Sequence, residues 1–275
     1  MRPDPWKALA AGAAAGPYFA LEPWAGGTQG PTQGGAQWRP LSALVSDPDV
    51  LAERVDHVRR ALARSAATAP AAVEQRAAAS IMFLGLASRL VSPSLGAAVA
   101  GGVVPDLTLA DLWWRPVAGG PLPLAARLSS GAAVGDLGSR QQRAGAARLL
   151  SEVCIQGLAA PAAAAFEAAF RLSPQVLWGN VASALAGAAG LLAESFPERA
   201  EAAGQLTAEI LGQGPLRGTG ELVQPDPARP RRFLVRRSCC LFYRIPGGGT
   251  CGDCVLVPEE VRHQQWQSAA ARSAR

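Results

Sequence analysis

The chain has 275 residues, 49% of them apolar and only 17% charged, with a net charge of +5. That length allows a sizeable core in one or two domains. The small charge, with no basic helix carrying interleaved aromatics, argues against a nucleic-acid partner. Alanine is the largest single part of the apolar share, which points to closely packed alanine-rich helices.

Residues 1–40 are rich in Gly, Pro, Thr and Gln (WAGGTQGPTQGGAQW) and are expected to form an irregular N-terminal arm. The start has a small-residue run but no leucine-rich stretch, and it carries Asp4 and Pro5, so a signal peptide is not expected. Asp47-Pro48-Asp49 is a helix-start signal, and Leu51, Val55, Val58 and Leu62 follow at helical spacing. A second helix is expected from Val73 to Val91, and a third from Ser92-Pro93 to Gly101-Gly102. Thr108 can cap a short turn that includes Asp111.

In LWWRPVAGGPLPLAARL, Trp113, Trp114 and Val117 precede Gly119-Gly120, and Leu122, Leu124 and Leu128 follow, as in a small hairpin. Pro116, Pro121 and Pro123 place that hairpin at a sheet edge. From Ser139 to Gly212 the pattern is helical, punctuated by Pro161, Ser173-Pro174 and Phe196-Pro197 into roughly four helices. Residues 213–230 read as a Pro/Gly-rich linker, and Phe233–Val235 and Leu241–Ile245 as short extended segments. The expected class is mainly α (α+β): a helical body with a small β element and a C-terminal four-cysteine module. The expected divisions are an arm (1–40), a body (41–220) and the module (221–275). Arg89 and Pro93 interrupt the longest apolar stretch, and Val181 to Leu192 is too short to span a bilayer, so a cytoplasmic protein is expected.

Four of five cysteines fall in RRSCCLFYRIPGGGTCGDCVLVP: Cys239, Cys240, Cys251 and Cys254, spaced C-C-x10-C-x2-C. In a reducing cytosol such a cluster is a metal or redox site more often than a set of disulfides. Three readings stay open. A structural zinc site usually takes two C-x2-4-C pairs, which Cys251 and Cys254 match and the adjacent pair does not. Neighbouring side chains on a strand point to opposite sides, so both sulfurs reach one metal only through a local kink. A [2Fe–2S] cluster divides four thiolates between two irons and eases that demand. A disulfide between adjacent cysteines is strained. Gly247-Gly248-Gly249 and Gly252 leave room for backbone N–H groups near cluster sulfurs, and Phe242 and Tyr243 are placed to shield one face.

At these residues the chain resembles the FhuF-type ferric-siderophore reductase family. The resemblance rests on the cysteine spacing, on W-W-R-P (Trp113 to Pro116) and on W-G-N (Trp178 to Asn180) ahead of the cysteines. It implies a [2Fe–2S] cluster held by Cys239, Cys240, Cys251 and Cys254. It also implies reduction of Fe(III) in imported siderophores by a cytoplasmic protein, with peripheral membrane association in some members. Zinc-stabilised siderophore binding without redox chemistry, or electron carriage for another enzyme, are the alternatives. Gly212-Gln213-Gly214 lacks the strand and spacing of a dinucleotide fingerprint, so the electron donor is expected to be external. Arg229, Arg231, Arg232, Arg236, Arg237 and Arg244 suggest an anion-attracting surface near the cysteines, or else a solvated charged face. Cys154 reads as a buried small hydrophobe, His57 and His263 as surface residues, and Trp113 and Trp114 as packing residues.

Overall fold

The computed structural model describes residues 3–24, 38–229 and 231–272. The segment AGGTQGPTQGGAQ of the expected arm lies outside the described residues. The described part of residues 1–40 is more regular than expected. Asp4 caps helix α1 (Pro5–Ala13), its carboxylate accepting from the Trp6 and Lys7 amides. This helix packs on α4 (Gln75–Gly101) with almost no spacing between backbones: a Cβ on Gly12 would sit 2.6 Å from the Gly96 carbonyl carbon.

A four-residue helix α2 (Ala43–Ser46) leads into α3 (Pro48–Ser65), which starts at the expected Asp47 cap and buries Leu51 and Val55. The expected break at Ser92-Pro93 does not occur. Helix α4 runs straight through Pro93 and ends on left-handed Gly102. A mid-helix proline costs about 3 kcal/mol. Here α4 is the central helix, buried from Ala77 to Val99 along most of its surface, and that packing outweighs the lost hydrogen bond.

Arg89 of α4 is 2% exposed and donates only to backbone carbonyls. Its Nε reaches Leu122 O at 2.8 Å, and its two terminal nitrogens reach Pro17, Tyr18 and Ala20. Burial lowers its pKa to about 10, which leaves it charged at neutral pH. One cation therefore ties the N-terminal segment and the 115–123 loop to the core helix. Arg89→Met strands those carbonyls without a donor and should destabilise the protein by about 3 kcal/mol or more in urea unfolding. A loss below about 1 kcal/mol would show that water replaces the guanidinium there.

Strands β1 (Glu22–Pro23), β2 (Arg39–Pro40), β4 (Leu112–Trp114) and β5 (Leu124–Ala126) form a sheet of order β1-β5-β4-β2. The expected hairpin is β4–β5, with Trp113 opposite Ala125. It occupies the centre of the sheet and not its edge, because Pro116, Pro121 and Pro123 all fall in the connecting loop, where no ladder hydrogen bond is lost. Trp113 and Trp114 are buried in packing, as expected. Strands β3 (Val103–Pro105) and β6 (Gly131–Ala133) pair separately.

Pro161 does not end a helix either. Helix α5 (Arg140–Leu150) continues through a π-helical stretch, Ser151–Ala159, into α6 (Ala160–Phe170). The wider turns ahead of Pro161 accommodate a ring that would clash with the carbonyl four residues back in an α-helix. Cys154 lies in that stretch, buried as expected, its thiol pushed up to about 12 by burial. Helices α7 (Pro174–Ser195) and α8 (Ala200–Leu211) begin after the expected breaks. Helix α7 is longer than the apolar run Val181 to Leu192 suggested. By length and composition alone, α4, the α5–α6 helix and α7 could each cross a membrane, although 78% of the most apolar window of α4 is buried inside the fold.

The expected linker holds strand β7 (Gly220–Val223), paired antiparallel with β8 (Phe233–Arg236). The expected extended segment Leu241–Ile245 is instead a 3-10 turn, Phe242–Arg244, entered through left-handed Leu241. Helix α9 (Glu259–Arg272) follows the cysteines, and Trp266 stacks on Phe233 at 5.2 Å. His263 lies exposed on α9, as expected. His57 does not: it is half-buried, with Nε2 3.2 Å from Val117 O, and burial lowers its pKa.

Candidate metal centre

Strand β8 alternates in burial, with Leu234 and Arg236 facing inward. The inward face of its last residue brings a charge under the cysteines, which begin three residues later. Ser238, Cys239 and Cys240 leave the strand, and Leu241 then adopts φ +66°. The chain therefore turns sharply just after the adjacent cysteine pair. A left-handed non-glycine residue costs about 1–2 kcal/mol, and two hydrogen bonds hold the turn around it. The Leu241 amide donates to Cys239 Sγ at 3.3 Å, and Ser80 Oγ of α4 donates to Cys240 O at 2.7 Å.

The ten-residue loop returns through a glycine turn. Gly247 and Gly249 both have φ near +70° (69° and 68°), and the Gly248 amide donates to Ile245 O at 2.8 Å. The triple glycine thus serves backbone geometry, and the Gly248 N–H is spent on the turn itself. Cys254 then closes a turn on Cys251, its amide 3.1 Å from Cys251 O.

All four cysteines are free thiols. Cys240 and Cys254 are buried, at 1% and 4% exposure, while Cys239 and Cys251 are half-exposed. The sulfurs of Cys240 and Cys251 are 3.4 Å apart. The two thiols share a hydrogen bond, and the Phe242 amide donates to Cys240 Sγ. The Cys240 thiol is lowered to about 6 by the Cys251 hydrogen bond, against burial, while that same bond and burial push Cys251 up. Burial raises Cys239, and Cys240 and Cys254 lie close enough to repel its thiolate. Phe242 is half-buried against the core, and Tyr243 is 46% exposed.

The body supplies a polar cradle from the W-G-N segment of α7. Arg236 donates from Nε to Ser238 O (2.6 Å), from Nη1 to Ser183 Oγ (3.0 Å) and from Nη2 to Asn180 Oδ1 (3.0 Å). Asn180 in turn donates to Ser80 O and Oγ, both at 3.0 Å. One chain of bonds therefore runs from the strand, through α7 and α4, to the carbonyl of Cys240. Asp253 is part of the same cluster: burial raises its carboxyl pKa, while a Ser183 hydrogen bond and the Arg236 charge oppose this.

Of the arginines expected to form one surface, most are paired. Arg229 meets Asp226, Arg231 meets Glu194, Arg232 meets Glu201 at 2.7 Å, and Arg244 meets both Glu74 oxygens at 2.9 Å. Arg236 is inside. Arg237 is only loosely paired, 3.8 Å from Glu221. Together with Arg217, Trp178, Thr219 and Ser238 it lines a cleft of about 310 Å3 at the start of α7, one residue from Cys239. Sequence reading marked W-G-N but missed Ser80, Ser183 and the inward turn of Arg236. The available signal was an arginine in alternation with Leu234.

The donor set fits a two-iron group. Among the described residues, no three Cys, His, Asp or Glu side chains are grouped as a single metal ion would need. Four thiols, of which Cys240 and Cys251 already lie 3.4 Å apart, match in number a cluster that takes two thiolates per iron. Residues 236–256 match the family model described as the FhuF 2Fe-2S C-terminal domain. Comparison with curated proteins finds no match. The matched segment begins at Arg236 and ends two residues past Cys254, so it contains the turn at Leu241, the glycine turn and all four cysteines. Residues 236–256 are therefore similar to the FhuF 2Fe-2S C-terminal domain, and the cofactor that this match indicates is a [2Fe–2S] cluster.

Proposed function

We propose that this protein reduces Fe(III) held in an imported siderophore, with Cys239, Cys240, Cys251 and Cys254 as the cluster ligands and Fe(II) released in the cytoplasm. The observation that supports this reading is that all four cysteines fall inside the matched segment, two of them buried and two half-exposed. When bound, the cluster supplies one electron at a time. In this reading residues 41–220 are the rigid support and 221–275 the cluster module.

Each part of the chain then has a task. Cys240 and Cys254 fix the group to the body, while Cys239 and Cys251 stand on the side open to a partner. The cleft beside Ser238 seats the ferric chelate. Trp178 offers it an apolar wall, and Arg217 and Arg237 attract the ligand oxygens around the iron. Hard oxygen donors hold Fe(III) far more strongly than Fe(II), because the attraction scales with the metal's charge. One electron is therefore enough to loosen the chelate.

The electron comes from a separate protein or small reductant. Gly212-Gln213-Gly214 follows helix α8 and not a strand, so it offers no dinucleotide loop. Stopped-flow mixing of reduced protein with ferric siderophores is the test. Reoxidation at a rate that rises with chelate concentration, with one Fe(II) formed per cluster, is expected. If no ferric chelate reoxidises the protein, the reductase reading fails and electron carriage for another enzyme takes its place.

A further inference from the structure

The charge nearest the cysteines is buried. Arg236 is 1% exposed, and its three close acceptors are a backbone carbonyl, a hydroxyl and a side-chain amide, all neutral. No carboxylate among the described residues lies within salt-bridge distance of it. The positive charge of Arg236 therefore has no direct ion-pair partner there, and it is shielded from solvent ions. Its Nε donates to Ser238 O at 2.6 Å, which places the charge beside the residue that precedes Cys239. Gly179 lets it sit there: a Cβ at that position would lie 2.9 Å from Arg236 Nη2.

Reduction adds one negative charge to a thiolate-bound cluster. A fixed cation in a low-dielectric site stabilises that added charge more than any exposed arginine can. We propose that Arg236 is a positioning residue that sets the reduction potential of the cluster, with Asn180 and Ser183 holding its charge in place without neutralising it. The proposal rests on the reading that the four cysteines hold the cluster.

The test reads the midpoint potential of the assembled protein by anaerobic spectroelectrochemical titration, with no ferric substrate present. Failure of the reductase reading therefore leaves this result untouched, and failure of the ligand reading appears separately, as an unchanged spectrum in Cys240→Ser. Arg236→Lys keeps the charge and should retain the potential to within about threefold in the equilibrium constant for reduction. Arg236→Gln removes the charge, and Asn180→Asp neutralises it with the guanidinium still present. Each should make reduction at least about tenfold less favourable, which is about 59 mV lower for a one-electron couple. Arg237→Gln, at a side chain 63% exposed, should change it by less than about threefold. If either Arg236→Gln or Asn180→Asp assembles and keeps the wild-type potential, the proposal is overturned. Loss of the cluster from both, whatever Arg236→Lys does, would confine Arg236 to assembly and overturn it equally.

Discussion

Cys240→Ser is expected to yield a folded protein that is colourless as purified and holds less than about a tenth of the iron and sulfide of the parent. This position is the strongest test of the ligand set. Its sulfur is buried and 3.4 Å from Cys251, and its thiol is lowered to about 6, so it is the sulfur most easily presented as thiolate, the form that binds metal. Serine keeps the size but its hydroxyl remains protonated near neutral pH. The backbone bond from Ser80 to the residue's carbonyl does not involve the side chain, so the fold should survive. Far-UV circular dichroism checks the fold, and absorption with iron analysis checks the cluster. A Cys240→Ser protein with the full parent spectrum would remove this residue from the ligand set.

The second large effect is expected at Gly179. A Cβ there would lie 2.1 Å from Ser238 Oγ and 2.9 Å from Arg236 Nη2, distances that real side chains essentially never show. Both neighbours are held by hydrogen bonds, so the strand end must move and carry Cys239 with it. Gly179→Ala should cost about 1–3 kcal/mol or more from overpacking, together with most of the bound cluster. Gly187 on the same helix is the control, because nothing lies within 4 Å of its Cβ position. Gly187→Ala should be neutral or add up to about 1 kcal/mol through helix propensity. Urea unfolding of the two apoproteins and iron analysis after assembly separate the cases. Equal stability and equal iron in the two variants would show that close approach at Gly179 does not position the module.

Helix starts were the most legible part of the fold. Asp47 before α3 and Ser173-Pro174 before α7 act within one turn, so local chemistry settles them. Helix stops were less legible where a proline was involved. Pro93 and Pro161 both read as breaks, yet the chain runs through them, because burial of α4 and a π-helical stretch offset what the ring costs locally. Strand β7 was hidden in a Pro/Gly-rich segment, since its partner β8 lies across a turn that composition does not reveal.

The site divides in the same way. By itself the sequence determined the C-C-x10-C-x2-C spacing and the thiol chemistry it offers, because spacing is a local property and thiolate chemistry does not depend on the fold. Only the tertiary structure decided what surrounds those sulfurs. It turned one arginine of a basic run inward while pairing most of the others on the surface, and it gave W-G-N a purpose as the groove and acceptor for that arginine. It also turned the chain sharply at Leu241, just past the adjacent cysteines. Those are outcomes of burial and close approach between segments far apart in sequence, from Ser80 to Asn180 to Arg236, and no local pattern records them.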